Sequence, residues 1–201
     1  MLTDLPNILT LLRIASIPLL IALIAFASPV MDGVACLIYI AACVTDYLDG
    51  MLARRWKQGS ELGRMMDPIA DKLLVGALLL ALAGYGRLGD GSLFAAIIIL
   101  VREIMVSGLR EFMASQRATL PSTRLAKWKT GIQMVAIGCL LAGDAMPRMI
   151  GLGAVSFSTV GALMLWISVV PTVMSGWGYL VTGLSKMMGT QTNRSSAKAS
   201  H

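Results

Sequence analysis

The chain has 201 residues, of which 56% are hydrophobic and only 14% are charged, and its formal net charge is +6. An ordinary soluble domain carries about 25% charged residues, so this composition excludes one and predicts an integral membrane protein. The positive charge does not indicate a nucleic-acid partner, because basic residues also collect beside membrane spans on the cytoplasmic side.

Six apolar segments follow one another along the chain, and each is close to the length of about 20 residues that a membrane-crossing helix needs. We predict spans over residues 8–27, 33–54, 68–84, 92–115, 125–142 and 154–184. In the third segment Pro68 suits the first turn of a helix, where its missing N–H is not needed. The tail, residues 187–201, is polar and without periodicity, so we expect it to be disordered. Residues 1–186 then form a single all-α membrane domain.

The distribution of basic residues predicts the orientation of these spans. Six spans put both termini on one side of the membrane, and thirteen of the 17 Lys and Arg residues lie on that side. The loops on the opposite side contain only Arg87 and Arg148. By the positive-inside rule both termini face the cytoplasm. We therefore expect a multi-pass protein of the inner (plasma) membrane, with its functional segment open to the cytoplasm.

Four aspartates lie in or beside the second and third apolar segments: Asp46, Asp49, Asp67 and Asp71. Each pair is three or four residues apart, so its two carboxylates share one helix face. A hairpin of the two helices would bring the pairs together. Carboxylates buried in this setting need cations, and ligand sets of oxygen alone favour Mg²⁺ or Mn²⁺. Two such ions suit phosphate chemistry, because together they neutralise a pyrophosphate.

Small residues and one arginine accompany the aspartates. Gly50, Ala53 and Gly63 leave room for a flat or bulky group such as a nucleotide, and Arg54 can donate two hydrogen bonds to a phosphate. The alternative is that these charges form buried ion pairs that only tie helices together. So many chemically matched residues within one short segment favour the metal and phosphate site.

The segment from Asp46 to Asp71 reads D-x-x-D-G-x-x-A-R, then eight residues, then G-x-x-x-D-x-x-x-D. This pattern resembles the signature of the CDP-alcohol phosphatidyltransferase family. The resemblance implies transfer of a phosphatidyl group from a CDP-linked lipid to an alcohol with release of CMP, by a six-helix membrane enzyme that forms a homodimer. It further implies three roles. Asp46, Asp49 and Asp67 bind the metal ions; Asp71 is the general base and also lies close to a metal; Gly50, Ala53 and Arg54 hold the CDP group.

The resemblance extends beyond the signature to four other segments: LPNILTLLRI at residues 5–14, REI at 102–104, SGLRE at 107–111 and KTGIQM at 129–134. They are similar to family members whose acceptor is glycerol 3-phosphate and whose donor is CDP-diacylglycerol. Five basic residues are candidates for binding the acceptor phosphate: Lys72, Arg102, Arg110, Lys127 and Lys129. The alternative for each is an anchor at lipid headgroups. For Arg102 it is a structural ion pair with Glu103 or Glu111.

Asn7, Thr10 and Arg13 recur every three residues on one face of the first helix. This polar stripe is expected to line the cavity for CDP-diacylglycerol. Hydrogen bonding between helices is the alternative.

Two further hypotheses stay open at this point. A family member with a different acceptor, such as phosphatidylglycerol in cardiolipin synthesis or inositol phosphate, would share the same signature. A divalent-cation transporter would use the aspartates as an ion site near the bilayer centre. The transporter is less favoured, because the aspartates lie near one membrane surface and Arg54 has no role in an ion pathway.

Overall fold

The computed structural model describes the backbone of residues 5–56, 61–89, 91–115, 124–149, 151 and 154–198. Within these ranges it describes the side chains of residues 7–48, 51, 66, 68–89, 91–115, 125–149, 151, 154–183 and 185. The described chain is all-α. Its helices are α1 (Leu5–Ala25), α2 (Pro29–Trp56), α3 (Glu61–Gly84), α4 (Ser92–Ser115), α5 (Arg124–Ala142), α6 (Ala145–Met149) and α7 (Phe157–Lys198).

The prediction of an all-α protein is confirmed, and each of the six predicted spans coincides with one long helix. Four helices in the described part of the chain contain a segment long and apolar enough to cross a membrane: residues 7–25, 29–48, 92–115 and 157–183. The two remaining long helices, α3 and α5, carry charged residues in or near their first turns. Large apolar side chains such as Leu37, Phe94 and Trp177 are exposed around the outside, as expected of a surface that meets lipid.

Three features differ from the prediction by more than a few residues. Helix α3 begins at Glu61, so Pro68 lies inside it rather than in its first turn. The helix continues through Pro68 although that residue donates no hydrogen bond to the preceding turn. A short helix, α6, follows α5 and was not predicted.

The third difference concerns the tail. Helix α7 continues to Lys198, through most of the segment that we expected to be disordered. Between Leu184 and Lys198 the sequence has no proline and only one glycine, so no residue there forces the helix to end. The division into a membrane domain and a tail stays a prediction.

The apolar core lies between the two ends of the helix bundle. It includes Leu20 and Ile24 of α1, Leu78 and Leu82 of α3, and Leu140 of α5, all almost completely buried. Helix α1 packs on α2 and α3, while α7 packs on both α5 and α4. Because α7 spans both contacts, it joins α5 to α4.

Two glycines let α7 approach its neighbours closely. A Cβ atom at Gly161 would lie 2.8 Å from Leu140 Cγ, and one at Gly183 would lie 2.8 Å from Leu109 Cδ1. Both distances are shorter than real Cβ contacts, so a larger residue at either position would require the facing leucine to shift. The close packing of α7 against α4 brings polar side chains of the two helices into contact.

Candidate active site

The first part of the site joins α1 to the aspartates of α2. Asp46 lies in the second half of α2, and its Oδ1 is 2.6 Å from Nη1 of Arg13. Arg13 is buried, as are Asn7 and Thr10 on the same face of α1, and α1 packs on α2 and α3. The polar stripe of α1 therefore faces the interior, and its arginine orients the first aspartate of the signature.

Asp71 of α3 belongs to the same group of charges. The side chain is largely buried, and its charge interacts with those of Asp46, Arg13, Lys72 and Lys129. Helices α1, α2, α3 and α5 thus contribute to one electrostatic unit. Helix α1, which packs on both α2 and α3, lies where one carboxylate of each pair comes into electrostatic range of the other.

The rest of the signature lies outside the described side chains. The backbones of Asp49, Gly50, Ala53 and Arg54 lie in the last turns of α2, and those of Gly63 and Asp67 lie in the first turns of α3. Among the side chains that are described, no three His, Cys, Asp or Glu residues form a group that could hold a metal ion. The metal ligands therefore stay a prediction.

The described carboxylates fit a divalent cation in their chemistry. Asp46 of α2 and Asp71 of α3 repel each other electrostatically, so a cation between them would relieve the repulsion. Their donor atoms are all oxygen, which suits Mg²⁺ or Mn²⁺. Arg13 holds one Asp46 oxygen, and such a second contact is the usual way to orient a ligating carboxylate.

The second part of the site is built on α4 and α5 around Glu103. Its Oε1 accepts a hydrogen bond from Arg102 Nη1 at 3.1 Å and another from Lys129 Nζ. Arg102 and Lys129 are both buried. The ion pair with Glu103, which was the alternative to acceptor binding for Arg102, is present. Glu103 also binds Lys129, so its single carboxylate is shared between two positive charges.

Helix α7 completes this second part. Arg102 Nη2 donates a 2.8 Å hydrogen bond to Ser175 Oγ, and Arg110 Nη2 donates a 2.6 Å hydrogen bond to Tyr179 Oη. Both guanidinium groups lie over the Tyr179 ring. The distance from Cζ to the ring centre is 5.8 Å for Arg102 and 4.8 Å for Arg110. Two positive charges on α4 are therefore held against one aromatic side chain.

The contribution of α7 was not predicted, although its sequence contains a polar stripe that could have indicated it. Ser168, Thr172, Ser175 and Tyr179 recur at spacings of four, three and four in an apolar helix. This is the same kind of polar stripe that marked α1. All four residues are buried.

We use the term charged cluster for the charged residues of both parts: Arg13, Asp46, Asp71, Lys72, Arg102, Glu103, Arg110 and Lys129. The two parts are linked through Lys72, whose charge interacts with those of Asp71, Arg102 and Arg110. Four of the five predicted acceptor-binding cations belong to the cluster.

The fifth cation, Lys127, lies elsewhere. It is exposed and lines an apolar surface groove with Trp128 and Gly131. The reason is the helical repeat, because residues two apart on α5 point in different directions, and Lys129 already points inward. The geometry therefore favours the lipid-anchor alternative for Lys127.

The chain belongs to the CDP-alcohol phosphatidyltransferase family, whose sequence profile matches residues 3–174. It is 37% identical over 206 residues to the CDP-diacylglycerol–glycerol-3-phosphate 3-phosphatidyltransferase of Cereibacter sphaeroides, across 88% of this chain and 93% of the relative. The enzyme of the same name from Rickettsia bellii is 38% identical over 176 residues, with the same coverage. That of Pseudomonas fluorescens is 38% identical over 184 residues, across 89% of this chain and 93% of the relative.

Proposed function

We propose that this chain transfers the phosphatidyl group of CDP-diacylglycerol to glycerol 3-phosphate and releases CMP, the reaction of phosphatidylglycerophosphate synthesis. The observation that carries the proposal is that Lys129, which shares Glu103 with Arg102, lies in electrostatic range of Asp71. The names of these relatives point to the same donor and acceptor. Family membership also gives the cation-transporter hypothesis no support.

The cations suit a phosphorylated acceptor. A phosphate dianion needs several charge-assisted hydrogen bonds, and the charged cluster has four cations on α3, α4 and α5. Glu103 neutralises part of this charge and orients two of the donors. An uncharged alcohol would leave the buried Arg102 and Lys129 without an anionic ligand, which is unfavourable. The cluster therefore discriminates in favour of an acceptor that carries phosphate.

In the proposed reaction a hydroxyl oxygen of glycerol 3-phosphate attacks the phosphorus that bears the diacylglycerol. A new P–O bond forms, the bond from that phosphorus to the CMP oxygen breaks, and CMP leaves with the electron pair. Asp71 accepts the hydroxyl proton, and its electrostatic interaction with Asp46 and with neighbouring cations of the charged cluster supports this role. Arg54, Gly50, Ala53 and Gly63 hold the CDP group, with the α1 stripe beside the donor.

The aspartates are proposed to hold two Mg²⁺ or Mn²⁺ ions: Asp46, Asp49, Asp67 and Asp71. When bound, such ions neutralise the charge that develops on the pyrophosphate. The oxygen-only donor set and the repulsion between Asp46 and Asp71 support this assignment.

We further propose that all six long helices span the inner membrane and that both termini and the charged cluster face the cytoplasm. The excess of thirteen Lys and Arg residues over two supports this orientation. A water-soluble acceptor would then enter from the cytoplasm. We also propose a homodimer, on the basis of the family resemblance.

An acceptor panel tests the proposal. Purified protein with CDP-diacylglycerol and Mg²⁺ or Mn²⁺ is offered glycerol 3-phosphate, inositol phosphate, serine or phosphatidylglycerol, and CMP release is measured. We expect turnover with glycerol 3-phosphate, loss of turnover in EDTA, and recovery with excess Mg²⁺ or Mn²⁺. Turnover with another acceptor alone would contradict the acceptor assignment, and full turnover in EDTA would contradict the metal assignment.

A further inference from the structure

We propose that Tyr179 of α7 is a positioning residue for the acceptor phosphate and that it acts by fixing the two arginines of α4. This inference rests on the proposed function and adds a residue that neither the signature nor the other matched segments contain. Tyr179 is buried, and its hydroxyl accepts the hydrogen bond from Arg110 Nη2 at 2.6 Å. The ring also lies beneath the guanidinium groups of both Arg102 and Arg110.

The arrangement needs a reason, because two like charges repel each other. A single aromatic ring attracts both guanidinium groups and so offsets part of that repulsion. Arg102 has a carboxylate, Glu103, as a second partner. Arg110 is exposed, and within the described residues it contacts Tyr179 through its hydrogen bond and through the ring. Arg110 is therefore a cation directed by Tyr179 and still open to an anionic ligand.

The neighbouring residues of α7 are adapted to the same task. Ser175 Oγ accepts a hydrogen bond from Arg102 Nη2 at 2.8 Å and donates one to the Pro171 carbonyl oxygen at 2.6 Å. Gly176 leaves space for the arginine stem, since a Cβ there would lie 3.0 Å from Arg102 Cγ. Ser175, Gly176 and Tyr179 follow one another at spacings of one and three on one side of α7. This side of α7 thus fits the shape of Arg102 and holds Arg110 beside it.

The fixed pair of guanidinium groups has a chemical consequence. Arginine binds phosphate best when its planar group is held in advance, since less freedom is then lost on binding. Two arginines held over one ring give several N–H donors a defined spacing. Tyr179 therefore contributes to acceptor affinity without touching the acceptor.

Steady-state kinetics of Tyr179→Phe test this inference. The variant keeps the ring and loses only the hydroxyl that binds Arg110. We expect the KM for glycerol 3-phosphate to rise about three- to tenfold, because Arg110 is then no longer held in place and loses more conformational freedom when the acceptor binds. We expect kcat and the KM for CDP-diacylglycerol to change by less than about twofold, because the lost contact serves acceptor binding alone. Tyr179→Leu, which also removes the ring, should have the larger effect on the same constant.

Two controls separate positioning from a structural role. Tyr85→Phe makes the same chemical change at an exposed tyrosine just after α3 and should leave all constants unchanged. In the background of Arg110→Ala, Tyr179→Phe should have almost no further effect on the KM for glycerol 3-phosphate, because the two residues act as one unit.

The inference is overturned if Tyr179→Phe leaves the acceptor KM unchanged, or if its effect adds fully to that of Arg110→Ala. It is also overturned if both substrates weaken to the same extent. A wild-type enzyme that is active with CDP-diacylglycerol but ignores glycerol 3-phosphate overturns the proposed function instead, so the two failures are distinguishable.

Discussion

Helix α2 contains two aspartates that form ion pairs, Asp32 in its first turn and Asp46 in its second half. The two ion pairs differ in their surroundings. Asp32 and Asp46 are 14 residues apart, about 21 Å along the helix axis. Asp32 binds Arg87 at 2.7 Å, and Arg87 also donates to the Ile24 carbonyl oxygen at 3.1 Å. Asp46 binds Arg13 at 2.6 Å but also faces the second aspartate, Asp71.

The difference lies in the balance of charge. At the Asp32 end one carboxylate meets one guanidinium group, and a backbone carbonyl takes a further donor, so the charges are locally matched. At the Asp46 end the carboxylates of Asp46 and Asp71 repel each other. In the second part of the site, the cations outnumber the one carboxylate, Glu103, which binds two of them. Like charges held together in this way are costly unless a ligand of opposite charge completes the group. Buried ion pairs alone therefore do not identify a site, whereas unmatched charges do.

The largest expected effect comes from Asp71→Asn. The amide keeps the volume of the side chain but cannot accept the acceptor proton. We expect kcat to fall on the order of 10²–10⁴-fold, while CDP-diacylglycerol still binds. Single-turnover kinetics and a binding assay measure the two quantities separately. A variant with nearly normal kcat and a raised KM would show that Asp71 binds substrate rather than accepting its proton.

Asp32→Asn tests the other end of α2. Removal of this carboxylate leaves the half-buried Arg87 without its anionic partner, and we expect a loss of stability of up to about 3–5 kcal/mol. The kcat of the folded enzyme should not change. Thermal unfolding in detergent, followed by activity per folded molecule, measures both. A fall in kcat to the level of Asp71→Asn would contradict the distinction between the two ends.

Within the cationic region, Lys129→Ala and Lys127→Ala form a matched pair. Lys129 is buried against Glu103, whereas Lys127 is exposed beside Trp128. We expect the KM for glycerol 3-phosphate to rise tenfold or more in Lys129→Ala, because a charge-assisted donor is worth about 1.5–3 kcal/mol. The change in Lys127→Ala should stay below about twofold, in line with an exposed charge. An equal rise of this KM in both variants would show that Lys127 also binds the acceptor.

The smallest effect is expected at Asp144, at the Asp32 end of the molecule. Its Oδ1 accepts hydrogen bonds from the Ser158 N–H at 2.9 Å and from Ser156 Oγ at 3.0 Å, at the start of α7. The hydrogen bond from the Ser158 backbone lowers the pKa of Asp144 below its usual value. Because the folded-state pKa is depressed, the stabilisation is present above the unfolded pKa of about 3.9 and is lost as the pH falls through the folded one.

We therefore expect Asp144→Ala to destabilise the protein by about 1 kcal/mol or less near neutral pH, since the group is only partly buried and solvent screens its charge. The difference from wild type should disappear at a pH below the folded pKa of Asp144. Unfolding temperatures of both proteins, measured in detergent between acidic and neutral pH, check this. A difference that persists at the lowest pH would assign the effect to helix packing instead of the carboxylate.

The amino-acid sequence alone was enough to predict the all-α class, the approximate position of each long helix and membership of the family. These follow from apolar length, from spacing along one helix and from a signature that is contiguous in the chain. The inward face of the α1 stripe, with Arg13 on it, was also predictable from a repeat of three residues. Such features depend on local order, so the sequence contains them directly.

The contacts between charged residues of different helices depend on how those helices pack, which local sequence patterns do not reveal. Glu103 and Lys129 are 26 residues apart, and Arg110 and Tyr179 are 69 apart. Sequence reasoning treated Lys127 and Lys129 alike, because both are lysines at the start of one helix. The rotation of α5 against α7 buries one and exposes the other. The role of α7 was missed for the same reason: the packing of distant helices, permitted by glycines such as Gly176 and Gly183, decides which polar stripe faces the arginines.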